Sequence, residues 1–278
     1  PPAEGLQEIQ ILRGAASLQY GTQFGGLINF VMKKPNYNKD LEILTRNTIG
    51  SNNLFTNFTS LSSVGKKINY YGYINYKKGD GFRDNSEFES TNTFQYLEYK
   101  INDTTLLSSE LTYMNYLAQQ AGGLSDDMFK TDHLQSNRAR NWFEVEWLMY
   151  NLKFKKEFSK KINFSFSFFG LKATRNSLGF RTNRVSQIDS GEERDLIKGD
   201  FSNFGFESRL LTNYSLLNKK SLFLVGLKYY NSNSSSIQGP GSNSSDADFN
   251  FQNAQYPNYS NQSNLSLIHI SEPTRLHT

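Results

Sequence analysis

The sequence contains no cysteine, so it offers neither a disulfide framework nor a thiolate metal site. Its three histidines, His133, His269 and His277, are too few and too scattered for an imidazole-based metal centre. A transmembrane helix would need about 18 consecutive apolar residues, and no such run occurs; a membrane-crossing barrel needs none. Charge of one sign is also scarce. The 30 Lys and Arg against 26 Asp and Glu leave a net +4, with basic residues interleaved among acidic ones and no stripe of the kind nucleic acid requires. No nucleophile elbow, His-Glu-x-x-His or phosphate loop is found, which excludes the commonest catalytic motifs. The expectation is a non-enzyme without cofactor or metal site.

What the sequence has in plenty is aromatic rings. With 22 Phe and 16 Tyr in 278 residues, and only 37% of the chain hydrophobic, neither a disordered chain nor an ordinary soluble domain fits well. Rings and β-branched residues spaced by Asn, Ser and Thr favour strands. From residue 40 the alternation has period two: Ile68, Tyr70, Ile74 and Tyr76 fall on one face, as do Ile162, Phe164, Phe166 and Phe168, and Phe204, Phe206, Leu210, Tyr214 and Leu216. The opposite face is polar.

This pattern predicts nine strands, at about 40–50, 53–64, 67–78, 91–101, 104–117, 142–157, 161–175, 200–216 and 220–231. Strands in soluble domains are mostly about five or six residues long, whereas a tilted strand crossing a bilayer takes about 9–11. The predicted connections alternate. Those near "VGKK", "IND", "FSKK" and "LNKK" are tight, while those between them are long and rich in Gly, Asn and Ser, such as "AQQAGGLSDDMFKTDHLQSNRARN". An antiparallel meander sorted in this way has short turns at one rim and long loops at the other, the asymmetry of outer-membrane barrels. A soluble sandwich or adhesin has no reason to sort its loops by length. Tyr76, Tyr99, Tyr116, Trp142, Phe158, Tyr214, Tyr229 and Tyr230 lie near predicted strand ends, where rings at the headgroup boundary are expected.

The first 36 residues differ from the rest. They predict a strand at Glu8 to Leu12, one or two helical turns from Ala15 to Tyr20, a bend at Gly21, Gly25 and Gly26 that needs glycine's conformational freedom, and a strand from Leu27 to Met32 stopped by Pro35. "EIQILRGAASLQYGTQFGGLINFVMKKP" resembles the closing segment of the plug domain of TonB-dependent outer-membrane receptors, with Arg-Gly, Tyr-Gly, Gly-Gly and apolar-Asn-apolar groups in order. Within that family, "YGTQFGG" and "GGLSDDMFKTDHLQSNRARNWFEVEW" resemble the ferric citrate receptor branch.

The resemblance implies an all-β fold: about nine strands of a probable 22-stranded antiparallel transmembrane barrel, preceded by the C-terminal part of an α+β plug. The expected division is 1–36 for the end of the plug and 37–264 for the first part of the barrel. Residues 265–278 are set apart, because Leu265 to Arg275 resembles the translation of a sequencing-library transposase adapter. With its abrupt opening, "PPAEGLQEIQILRG", and an odd strand count, the chain is expected to be an internal fragment of a longer protein.

The resemblance further implies residence in the outer membrane of a Gram-negative bacterium, in contact with its lipid, and import of an iron(III) chelate such as ferric citrate or another siderophore. The TonB–ExbB–ExbD complex would supply the energy, through a TonB box upstream of residue 1. Rival readings are an oligosaccharide importer of the same architecture, in which aromatics would dominate the pocket, and a passive porin or soluble adhesin. For an anionic chelate the candidate contacts are Gln23 at the plug bend, Arg138 and Arg140 in "SNRARNW", and Arg175, Arg181 and Arg184 in "ATRNSLGFRTNR", because a guanidinium fork holds a carboxylate bidentately. Arg13 is expected to pair with Glu144 or Glu146 of the barrel wall. Asp126, Asp127 and Asp132 lack the spacing of a calcium loop and are expected to be solvated.

Overall fold

The computed structural model describes residues 1–13, 25–182, 184–216, 219–252 and 259–271, the last by backbone alone. Ten antiparallel strands form one sheet in strict sequence order, each paired with its neighbours in the chain. They are β3 (Leu41–Ile49), β4 (Phe55–Val64), β5 (Ile68–Gly79), β6 (Phe88–Asn102), β7 (Thr105–Gln119), β8 (Trp142–Ser159), β9 (Ile162–Gly179), β10 (Asp195–Leu216), β11 (Lys219–Pro240) and β12 (Tyr259–Ser271). A separate antiparallel pair, β1 (Leu6–Leu12) and β2 (Leu27–Met32), precedes them. One short helix, α1 (Asp126–Thr131), lies in the loop after β7, capped by the Ser125 hydroxyl, which accepts from the Met128 amide at 3.3 Å.

The nine predicted strands are all present, with loop lengths sorted between the rims as predicted. The tenth strand, β12, was not anticipated; its second half runs through 265–271, the stretch set apart on sequence. The other difference is length. β11 continues through "NSNSSSIQGP", whose composition suits an external loop, because backbone pairing with β10 holds as far as Asp195↔Pro240, although Ile237 is the one aliphatic side chain in that stretch of β11.

The two faces of the sheet separate by parity. One row runs in register through Tyr70, Leu97 and Ser109, and another through Tyr150, Gly170, Phe204 and Asn231. Around these rows Ile68, Ile74, Leu97, Leu111, Leu152, Phe168, Phe204 and Leu227 stand exposed, and no second sheet among the described residues covers them. A band of bare aliphatic and aromatic side chains this wide is a lipid-facing surface, not the inner layer of a sandwich. Of the rings expected at the boundary, Tyr116 and Tyr230 belong to the other face, being paired with Ser90 and Gly205. Trp142 is buried beneath a loop.

The opposite, inner face receives the N-terminal segment. Phe58, Tyr71, Tyr73, Phe94 and Tyr96 form a buried cluster against which Met32 packs. Gly5 abuts the Tyr73 ring, and Arg46 pairs with Glu4 at 3.1 Å. The Asn36 amide donates to the Ser62 hydroxyl at 2.8 Å, and the Lys34 ammonium lies 5.5 Å from the Tyr96 ring centre. Glu4, Gly5, Met32, Lys34 and Asn36 therefore meet the wall on its polar-and-aromatic side. Gly26 adopts φ +99°, with the Leu12 carbonyl where a β-carbon would lie, so the tight entry to β2 demands glycine. The expected turns at 15–20 lie outside the described residues.

Candidate ligand-binding site

The inner face of β8–β11, near the long-loop rim, holds a recess of about 410 Å³ lined by Phe143, Arg175, Ser177, Ile197, Gly199, Phe201, Ser234 and Ser236. Strand register builds it. Phe143 lies opposite Ser177, Arg175 opposite Gly199, and Phe201 opposite Ser234. Gly199 contributes no side chain across from Arg175, so the guanidinium has room, and it rests over the Phe201 ring with its carbon 6.0 Å from the ring centre. Arg175 is exposed and makes no ion pair among the described residues. A fixed cation beside hydroxyl donors, backed by rings, suits a carboxylate-bearing ligand.

Arg138 and Arg140 are placed differently from expectation. Only 5% and 8% exposed, they spend their donors on the protein itself. Arg138 donates to the carbonyl oxygens of Gln187 at 2.9 Å and Val185 at 3.5 Å, to the Thr182 hydroxyl at 3.2 Å, and lies over the Phe180 ring. Arg140 grips the Asp189 carboxylate with two donors and reaches the carbonyls of Glu192 at 3.0 Å and Asn243 at 2.8 Å. That pairing holds the Asp189 carboxyl below the ordinary carboxylate range and pushes the Arg140 guanidinium up. Both arginines are loop fasteners. Arg181 and Arg184 are exposed on the 180–194 loop. Arg184 also borders a cleft of about 630 Å³ between three loops, with Arg83, Gln119 and Phe82 on its other sides. Gln23 lies outside the described residues.

Glu144 and Glu146 correct the expectation for Arg13. They pair in register with Leu117 and Asn115 on the outward face, where Glu144 accepts from the Asn176 amide at 2.7 Å and Glu146 from the Tyr113 hydroxyl at 3.3 Å. Their parity turns them away from the plug side. Asp126 and Asp127 occupy the first turn of α1, and the Asp132 carboxylate accepts from the Leu134 amide at 2.9 Å, a local turn contact. Among the described residues no group of acids and histidines is arranged to hold a metal ion. Arg194, the most deeply buried arginine among the described residues, was missed on sequence, because "GEERDL" looks like any charged surface turn.

No family model matches this sequence, and no curated protein matches it either. Solved structures do. The ferric citrate transporter FecA in its unliganded form aligns over 96% of this chain and 40% of its own, at 18% identity and a TM-score of 0.80. The siderophore receptor PiuA from Acinetobacter baumannii aligns over 84% of this chain and 36% of its own, at 13% identity and a TM-score of 0.72. The ferripyoverdine receptor of the outer membrane of Pseudomonas aeruginosa covers 91% and 34%, at 15% identity and a TM-score of 0.69. These are receptors and transporters, not enzymes, and this chain spans well under half the length of each. Ten strands in meander order, a bare outward band and an inner face against which Met32 packs agree with that likeness: the chain has the fold of the TonB-dependent outer-membrane receptors, over part of the barrel wall.

Proposed function

We propose that this chain supplies the end of the plug and the first part of the barrel of an outer-membrane receptor in a Gram-negative bacterium. The receptor binds an anionic iron(III) chelate of the ferric citrate kind and imports it with energy delivered by TonB–ExbB–ExbD. The observation that carries this reading is the exposed Arg175 guanidinium on the inner face, the face that the N-terminal segment also meets, flanked by Ser177, Ser236 and Phe201. A carboxylate-rich chelate would present oxygen pairs to that fork, and Arg181 and Arg184 at the rim would draw it in. Arg138 and Arg140 serve by holding the loops. Residues 1–36 close the passage until force is applied to the plug.

The bare outward band argues against a soluble adhesin, and the docked segment argues against an open porin. The test is titration of the purified intact receptor with ferric citrate and with a neutral maltooligosaccharide. Arg175→Met should weaken ferric citrate binding about 10- to 100-fold, the worth of one charge-assisted contact of about 1.5–3 kcal/mol. Binding that ignores the substitution, or a preference for the neutral sugar, would reject the reading.

A further inference from the structure

At the long-loop rim, side chains of one loop donate to backbone carbonyls of the next. Arg83 donates to the carbonyl oxygens of Ala121 and Gly122 at 3.1 and 2.8 Å. The Asn137 amide and Arg138 reach the carbonyls of Val185 and Gln187 at 2.8 and 2.9 Å. Arg140 bridges onward to Asp189 and Asn243.

Arg194 closes the chain of contacts. It is 1% exposed, and each of its five N–H donors has an acceptor. Nε donates to the Ser242 carbonyl at 2.8 Å, and Nη1 to the carbonyls of Arg140 at 3.0 Å and Asp246 at 2.8 Å. Nη2 donates to the hydroxyls of Ser242 at 2.8 Å and Ser244 at 3.3 Å. Among the described residues no carboxylate lies within ion-pair distance of it, so the hydrogen bonds of this buried cation all go to neutral oxygens, with Asp246, Asp248 and Asp189 attracting it from farther away. Carbonyls in irregular segments have no ladder partner, and a planar fork can satisfy several at once. Beside Arg194, Trp142, Leu178 and Leu196 form an apolar floor covered by Ala247, Phe249 and Phe251, and the Trp142 indole donates to the Ser245 carbonyl at 2.7 Å. Leu178 and Leu196 have the parity of the outward face, opposite to Arg175.

We infer that Arg194 is a positioning residue that fastens loops 120–141, 180–194 and 241–252 into one body, assembled before any cargo arrives, with the last loop folded against the outside of the wall instead of over the bore. Arg83 attaches loop 80–87 to the same body. The cleft bordered by Arg184 is consequently preformed, and capture does not wait for these loops to close. The loop body stands on contacts alone; its link to capture rests on the proposed chelate-receptor function.

The test is hydrogen exchange on the intact receptor in lipid, comparing wild type with Arg194→Lys and Arg194→Met. Lysine keeps the charge but has three donors and no fork, so both variants should raise exchange more than tenfold in all three loops together, with the central strand segments unchanged. Loosening confined to 241–252, or a lysine variant indistinguishable from wild type, would overturn the inference. Should neither variant fold, Asp189→Asn loosens the Arg140 link, and 120–141 and 180–194 should then exchange faster together; faster exchange in 180–194 alone would count against the inference. In the same preparations, joint loosening with several-fold weaker ferric citrate binding supports the inference and its link to capture. Joint loosening in a receptor whose wild type binds no ferric citrate supports the loop body and rejects the chelate function.

Discussion

Gly5 stands so close to Tyr73 that a β-carbon on it would lie 2.5 Å from the ring's Cε1. The ring cannot yield easily: it is buried between Phe58 and Phe94, at 5.3 and 5.8 Å between ring centres, and its hydroxyl donates to Asn92 at 2.9 Å. Forcing a methyl group into such a contact costs about 1–3 kcal/mol. Gly5→Ala should therefore loosen the N-terminal segment from the wall, read as faster proteolysis within residues 1–36 of the intact protein. Gly25→Ala, whose β-carbon would meet nothing within 4 Å, is the matched control and should leave the rate unchanged.

Adjacent residues on β7 test the assignment of faces. Leu111 is exposed on the outward side, paired with Tyr150, while Thr112 belongs to the inner row with Phe94 and Met149. An arginine in the lipid-facing band near mid-membrane costs about 2–4 kcal/mol, and one facing a polar lumen costs far less. Leu111→Arg should lower the stability of the intact protein, folded into vesicles and unfolded with denaturant, by that amount, with Thr112→Arg close to wild type. Equal losses at the two positions would remove the basis for an outward lipid face.

Much of this architecture was legible because a half-buried strand writes its face into every second residue. In "INFSFSFFG" Phe164, Phe166 and Phe168 lie outward and Asn163, Ser165 and Ser167 inward, so strand existence and parity came directly from alternation. The same signal fades above the apolar band. There Asn231–Pro240 keeps its pairing through backbone groups, which leave no mark in composition. The site was legible only in part. Arg175, within a strand, could be assigned a face, whereas Arg138, Arg140 and Arg194 sit in or beside loops, where facing outward to cargo or inward to another loop depends on contacts more than 40 residues away in sequence. Nothing local distinguishes those outcomes.

Phe201 allows the recess to be probed without removing its charge. The ring lies under Arg175, and a cation over an aromatic face is worth about 0.5–1 kcal/mol at an exposed site. Phe201→Leu keeps an apolar support but loses that attraction, so affinity for ferric citrate should fall about two- to five-fold, far less than for Arg175→Met. A larger loss from Phe201→Leu than from Arg175→Met would mean that the ring, not the guanidinium, contacts the cargo, as an oligosaccharide importer requires.

The Arg140–Asp189 pair gives the loops a pH signature. The Asp189 carboxyl is held below its ordinary value, first by the hydrogen bond from Arg140 and further by the Gly191 amide and nearby positive charge, against a smaller opposing effect of burial. A depressed carboxyl contributes stability that is fully present above the unfolded value of about 3.9 and is lost as pH falls through the lower folded value. Exchange in loops 120–141 and 180–194, normalised to the intrinsic rate at each pH, should thus be flat from about pH 8 to 5 and rise below about 4. Asp189→Asn removes the titrating group, so its loops should exchange faster than wild type at neutral pH and show no further step in acid. A variant as protected as wild type at pH 7 would mean that the neutral carbonyls around Arg140 suffice, and that the charge on Asp189 holds nothing.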